Sequence, residues 1–226
     1  MDFAFLSKTG VFQGISPQEL PALLQSVRAE EKTFPKGSVI YRAGENVSAM
    51  GLILSGRVCI ENDDIWGNKS ILSTASAGQV FAESYACIPS EPIMVSVIAE
   101  DETNILFLHM RRLLQACAEA SPLHIRIMQN LFFAAVQKNL NLSRRIFHTS
   151  AKSIRGRLLS YLSAQAMQEG SLDFYIPFNR QQLADYLSVD RSALSNELSK
   201  MQKEGMLTVK RNHFTLTSNT LKFSLS

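Results

Sequence analysis

Cysteine is scarce in this chain and poorly grouped: Cys59, Cys87 and Cys117 form an odd, unclustered set. That excludes a disulfide framework and leaves the thiols as small buried hydrophobes. The four histidines, His109, His124, His148 and His213, are equally scattered, and no pair has zinc-ligand spacing. No apolar run approaches the ~18 residues of a membrane span. The N-terminus lacks the basic, apolar and small-residue order of a signal peptide, so a cytoplasmic protein without a membrane partner is expected. Also missing are a nucleophile with base and orienter, paired metal ligands and a phosphate-cradling glycine loop. No catalytic residue, metal or cofactor is therefore assigned, and nothing repeats internally. What remains is a chain of 226 residues, 46% hydrophobic, long enough for one or two domains with real cores.

Its charge is unevenly spread. From Ser143 onward twelve Lys and Arg face six acids, a net +6 within a total of +3, so the preceding residues carry −3. The basic part is where a polyanion would bind. Within it, Asn179 to Met201 reads as two short helices joined by a tight turn. Asn179 caps the first, with Gln182 returning to the cap, and Leu183, Ala184 and Leu187 form its inward stripe. Ser188 and Val189 make the turn. Asp190 caps the second helix, whose inward positions are Leu194, Leu198 and Met201. Arg191, Ser192, Ser195, Asn196 and Ser199 are left on the other side. Arginine can hydrogen-bond guanine bidentately and asparagine adenine, and short serines let a helix lie close to base edges. A plain surface helical hairpin would have the same spacing.

Gly205 ends the second helix, and Leu207 to Leu216 then alternates as a hairpin. Leu207, Val209, Phe214 and Leu216 point inward. Lys210, Arg211, Asn212 and His213 form the turn, where basic groups could meet phosphates. Such a hairpin is a wing.

The N-terminal part has a different period. Residues 1 to 30 read as a short helical lead-in, with a cap and first turn at Ser16-Pro17-Gln18-Glu19 and Leu20, Leu23, Leu24 and Val27 on one face. From Lys32 to Leu108 short β-branched or alternating runs follow, such as 38–41, 50–54, 57–60 and 104–108, punctuated by Gly37, Gly44, Gly56, Gly67 and Gly78. Evenly spaced short strands imply a small antiparallel barrel or roll. Lys36 to Ile40, Gly44-Glu45, Leu52 to Val58 and Ala77 to Glu83 resemble the turn and strand signatures of a cyclic-nucleotide-binding β-roll. Followed by a winged helix-turn-helix, they resemble the Crp/Fnr family of bacterial transcription regulators over nearly the whole chain. The resemblance implies an α+β protein with three parts. These are a cupin-like effector-sensing β-roll with its lead-in (1–120), a long dimerisation helix (121–148) and a winged helix-turn-helix DNA-binding domain (149–226).

It also implies sites. By resemblance, the DNA-contacting set is Arg191, Ser192, Ser195, Asn196, Arg180, Ser199, Lys210 and Arg211, with Arg191 the main base reader. Ser192 stands where the cyclic AMP receptor pattern has an acid, and Asn196 where it has a second arginine, so a different palindromic operator is expected. Glu83 matches the ribose-contacting acid of cyclic-AMP-binding members, but Ala82 replaces their glycine and Glu91 to Ser96 offers no arginine for the phosphate. Losing a charge-assisted contact costs on the order of 1.5 to 3 kcal/mol, which disfavours cyclic AMP. Ile93-Met94-Val95 stand in its place and imply an apolar or aromatic effector, or none. The effector-contacting candidates are Glu83, Ser84, Met94, Val95 and Asn139, although Glu83 could equally be a structural acid of the roll. An iron–sulfur sensor would need four cysteines and nothing marks His109 or His124 as a haem ligand; redox sensing by Cys87 or Cys117 stays open as an alternative, although no basic neighbour lowers either thiol's pKa.

From Pro122, capped by Ser121, a helix is expected to about Phe147. Ile125, Met128, Phe132, Ala135, Asn139, Leu142 and Ile146 alternate at three and four, as in a coiled-coil seam. Phe133, Val136 and Leu140 form a second stripe, placed on the β-roll. A homodimer seam is the preferred reading, with a single buried core helix as the alternative. Thr149 or Ser150 caps the next helix, 152–168, with Ile154, Leu158, Leu159 and Leu162 inward and Arg155 and Arg157 near phosphates or solvated. Double-stranded DNA, a second copy, RNA polymerase and an unknown small effector are the expected partners.

Overall fold

The computed structural model describes residues 1–63, 69–88, 90–118 and 121–217. The turn expected at Gly67, the side chain of Cys117 and the basic Lys222 lie outside the described set. The chain forms two compact units, Met1–Ala135 and Val136–Ser226.

In the first unit two short helices, α1 (Phe3–Leu6) and α2 (Leu20–Ser26), lead in. The backbone N–H and the hydroxyl of Ser16 both donate to Glu19 Oε2, at 2.9 and 2.7 Å, closing the expected turn ahead of α2. Leu20, Leu23, Leu24 and Val27 are all buried. Eight strands follow: β1 (Glu30–Phe34), β2 (Val39–Tyr41), β3 (Ala49–Ser55), β4 (Arg57–Asp63), β5 (Lys69–Ser76), β6 (Val80–Phe81), β7 (Ser96–Ala99) and β8 (Thr103–His109). Helix α3 (Glu83–Cys87) interrupts them after β6, and α4 (Met110–Ala118) ends them.

The strands make two antiparallel four-stranded sheets, ordered β1-β8-β3-β6 and β2-β7-β4-β5. Register follows burial: Met50 faces Leu108 and Leu52 faces Leu106 across β3 and β8, and these four are at most 1% exposed. Each such side chain contributes roughly 1.5 to 3 kcal/mol by leaving water. Gly56, between β3 and β4, has φ +83°, and a Cβ there would lie 2.5 Å from the Glu102 carbonyl oxygen. Only glycine fits that corner.

The long helix α5 (Pro122–Thr149) runs as expected from the start of its apolar period. Ile127 and Leu131 enter the β-roll core, His124 Nε2 lies 2.8 Å from Ser26 Oγ, and Asn130 Nδ2 donates to the carbonyls of Val11 and Gln13. This corrects the stripe assigned to the roll at Phe133, which shares a unit with the roll and is exposed. Apolar letters alone do not say which of two stripes meets which neighbour. Met128 is likewise drawn toward the roll core, so the bare part of the seam begins at Phe132.

The second unit holds α6 (Ile154–Glu169), β9 (Asp173–Tyr175), α7 (Arg180–Leu187), α8 (Arg191–Lys203), β10 (Leu207–Lys210) and β11 (His213–Leu216). Its sheet is ordered β10-β11-β9, with Leu207 facing Leu216 and Val209 facing Phe214. The cap of α6 is Ser153, whose hydroxyl accepts the Gly156 N–H. The expected caps, Thr149 and Ser150, instead donate their hydroxyls to Arg145 and Phe147 carbonyls in the last turn of α5. They belong to the helix that ends there.

Candidate nucleic-acid interface

The helix pair is built from local signals that all agree. Asn179 and Gln182 exchange side-chain bonds with each other's backbone N–H, a complete capping box for α7. Ser188 closes α7 in a left-handed conformation, φ +54°, and Val189 N–H returns to the Ala184 carbonyl at 3.0 Å. Asp190 Oδ1 accepts the N–H groups of Ser192 and Ala193 and the Ser192 hydroxyl, which starts α8 and holds the aspartate below the usual carboxylate range. Leu183, Ala184, Leu187, Leu194, Leu198 and Met201 are buried in one core with Phe174, Leu207, Phe214 and Leu216.

That packing leaves the opposite side of α8 free. Arg191, Ser192, Asn196 and Ser199 are exposed and Ser195 is half-buried, all on one face at three- and four-residue spacing. The hydroxyls of Ser195 and Ser199 donate back to the Arg191 and Ser195 carbonyls, at 2.9 and 3.0 Å. They therefore keep the face low and leave Arg191 and Asn196 as its projecting donors.

Arg180 and Arg211 come together although 31 positions separate them. With Pro177, Phe178, Asn179, Gln182 and Asn212 they line an open cleft of about 530 Å³ at the N-terminus of α7. Helix N-termini and guanidinium groups both favour an anion. Half-burial of Arg180 pushes its guanidinium below its ordinary pKa, a cost that an anion in the cleft would relieve. Arg211 sits at the tip of the wing with φ +58°, next to exposed Lys210.

The other two turn residues are engaged elsewhere. Asn212 Nδ2 donates to the Ile176 carbonyl at 3.0 Å. His213 Nε2 lies 2.8 Å from Asp173 Oδ1, and its ring stacks on Tyr175 at 4.4 Å. Both tie the wing to residues 173–176, leaving Lys210 and Arg211 as the basic groups of the turn.

Three arginines support the helix pair without lying on the polar outward face of α8. Arg157 donates to the carbonyls of Ala151, Leu187 and Ser188 at 2.9 to 3.1 Å. Arg145, from α5, donates to Tyr186 and Asp185 carbonyls at 3.0 and 2.8 Å. The two guanidiniums thus complement the negative end of α7. Arg155 bonds Glu197 of α8 and Glu204, the residue that caps its C-terminus. The phosphate or solvent roles read for Arg155 and Arg157 are thereby replaced by structural ones. Sequence spacing carries no signal for them, since each partner lies at least 30 positions away apart from the Ala151 contact. His148 completes the base of α7, with Nδ1 2.9 Å from the Tyr186 hydroxyl and its ring edge-on to Tyr161.

The effector candidates are placed less compactly. Glu83 begins α3, half-buried, after Ala82 in a left-handed conformation of φ +58°. Ser84 is exposed beside it. Ile93 is 1% exposed within the roll core, Val95 packs on that core, and Met94 turns outward at 74% exposure. The Ile93 N–H and carbonyl are held by Glu45 and Gly44. Asn139 is exposed in the second unit and accepts the Ser143 hydroxyl at 3.4 Å. Partial burial and then Glu83 push the Cys87 thiol up, opposite to an activated thiolate. No group of metal-binding side chains occurs among the described residues, and none of their helices is long and apolar enough to cross a membrane.

Two domain families match the chain, a cyclic nucleotide-binding domain over residues 31–120 and a Crp-like helix-turn-helix domain over residues 156–219. A CRP-like cAMP-activated global transcriptional regulator of Mycobacterium tuberculosis is 22% identical over 203 residues, 89% of each chain. The cyclic AMP receptor protein of Thermus thermophilus is 22% identical over 197 residues, 87% of each. Among solved structures, OCPA-complexed CprK superposes with a TM-score of 0.60 at 16% identity, covering 92% of this chain and 93% of its own. A cyclic nucleotide-binding domain from Methylobacillus flagellatus gives 0.51 at 19% identity, covering 60% of this chain and 75% of its own. At these identities the structural likeness is one of fold.

Proposed function

This chain belongs to the Crp/Fnr family of bacterial transcription regulators, and from that premise we propose that it binds a palindromic DNA operator as a homodimer. Helix α8 enters the major groove, where Arg191 and Asn196 read base edges above the low surface of Ser192, Ser195 and Ser199. Arg180, Lys210 and Arg211 contact phosphates and set register. The observation that carries this reading is the bare polar face of α8, while Leu194, Leu198 and Met201 on its other side are buried in the core. A second copy covers the apolar face of α5 from Phe132 to Phe147, and its two-fold axis spaces the half-sites about 34 Å apart. RNA polymerase is the partner through which bound protein acts on transcription, in the cytoplasm.

The test begins with selection of duplexes from a random pool. Arg191→Ala should then cost about 1 to 3 kcal/mol on the selected duplex and relax preference at one base pair, whereas Lys210→Ala or Arg211→Ala should weaken all duplexes and flatten the salt slope. Equal losses for Arg191→Ala on selected and scrambled duplexes would refute the readout.

For the β-roll, the relatives are named as cAMP-activated, but the segment Glu91 to Ser96 supplies no arginine for a cyclic phosphate. A small apolar or aromatic effector near Glu83 and Ser84 is the reading that follows. A second reading, a roll that serves only as a scaffold, draws support from Ile93 and Val95 being taken up by the core while Met94 faces solvent. A thermal-shift panel of cyclic nucleotides and hydrophobic metabolites separates them, since a ligand at 100 times its Kd adds ~2.7 kcal/mol.

A further inference from the structure

Arg155 reaches α8 from α6 and holds it at two points. Its Nε donates to Glu197 Oε1 at 2.6 Å, and Nη1 and Nη2 donate to Glu204 Oε2 and Oε1 at 2.8 and 2.9 Å. Glu197 and Glu204 are seven residues apart, two turns or ~10 Å along the axis, and so lie on one face. Counting ~100° per residue, that face is nearly opposite the one bearing Arg191, Ser195, Asn196 and Ser199. One rigid guanidinium fork thus grips the back of the helix at its middle and at its end.

The buried stripe of Leu194, Leu198 and Met201 holds α8 against the domain, but apolar packing is non-directional. Hydrogen bonds at two points along the axis restrict rotation. A turn of ~20° would move a side-chain tip 6 Å from the axis by ~2 Å, beyond what a base-edge hydrogen bond tolerates. The same rotation would carry the wing, because Gln202 Oε1 of α8 accepts the Val209 N–H of β10 at 3.0 Å. Arg155 also compensates two carboxylates carried by the helix that faces a polyanion.

We propose that Arg155 is a positioning residue for DNA readout, fixing the rotation of α8 through Glu197 and Glu204 so that Arg191 and Asn196 meet base edges. The inference rests on the DNA-reading function proposed above. It is tested on the full-length protein by measuring Kd at several salt concentrations for a duplex selected by the wild type and for a scrambled duplex. Arg155→Ala should lose at least ten-fold on the selected duplex and less than three-fold on the scrambled one, with the salt slope unchanged. Arg155→Lys, a point donor able to serve one carboxylate, should fall between the two. The double variant Glu197→Gln with Glu204→Gln keeps acceptor oxygens and should retain the ratio within about three-fold.

Equal loss on both duplexes for Arg155→Ala would reduce the residue to a charge effect and overturn the positioning role. No loss on either would make the clamp an inert surface pair. Circular dichroism checks that the variants are folded; if Arg155→Ala is not, the Lys and double Gln variants decide by the same ratio. Failure of the wild type to select any duplex would refute the function itself, whereas a selected duplex bound equally well by Arg155→Ala would refute only this inference.

Discussion

Adjacent residues on α5 should respond to truncation in opposite ways. Phe132 is 66% exposed in the single chain and Leu131 is 9% exposed within the β-roll core. Fully burying a large apolar side chain is worth about 1.5 to 3 kcal/mol, so covering the exposed two thirds of Phe132 would contribute about 1 to 2 kcal/mol per protomer. A two-fold interface counts that twice. Phe132→Ala should therefore weaken dimerisation by about 2 to 4 kcal/mol, or about 30- to 1,000-fold in the dimer dissociation constant. Stability of the separated monomer should change by less than about 0.5 kcal/mol, as for an exposed site. Leu131→Ala should instead destabilise the β-roll unit by about 2 to 5 kcal/mol through the cavity it leaves. Sedimentation equilibrium over a broad concentration range reads the first quantity, and calorimetry at a concentration favouring monomer reads the second. A dimer constant that stays within three-fold after Phe132→Ala would show that the seam is elsewhere.

Two other perturbations test particular conformations. Ala82→Gly should relieve a left-handed alanine worth about 1 to 2 kcal/mol, offset by about 0.4 to 1 kcal/mol of unfolded-state freedom. The expected net is a gain of up to about 1.6 kcal/mol and a rise of up to roughly 5 °C in melting temperature; a fall would mean that the alanine methyl packs better than it strains. Burial first and Arg144 second lower the pKa of His148 from its ordinary 6.5, with Tyr161, Tyr186 and Phe147 around its ring and Arg145 on the same helix. A depressed folded-state value means that unfolded chains bind more protons below the unfolded pKa, so its stabilisation is complete above about 6.5 and is lost as pH falls through the folded value. The melting temperature should drop between pH 7.5 and 5.5, and His148→Gln should remove that component; an unchanged slope in the variant would assign the pH dependence to other groups.

The parts legible in the sequence are those whose partners are near in the chain. Asn179 with Gln182, Asp190 with Ser192 and Ala193, and Ser188 returning to α7 are contacts within a few residues, so residue type and spacing specify both helices and the turn between them. The inward stripe of α8 also determines, by subtraction, its outward face. The β-roll signatures worked similarly at Gly56, where a corner needs positive φ. Strand pairing, and short elements such as α3, required long-range registry that no local window holds.

What the sequence determined by itself is therefore the order of the parts and the polar outward face of α8, because capping, periodicity and turn chemistry act over one or two helical turns. Tertiary structure alone decided which charges remain available. It engaged Arg145, Arg155, Arg157 and His213 within the fold and put Arg180 and Arg211 on the lining of one cleft. It also left α5 exposed from Phe132 to Phe147. Whether an arginine is a reader or a brace depends on which acceptors lie within about 3 Å of it, and those are supplied by elements distant in the chain.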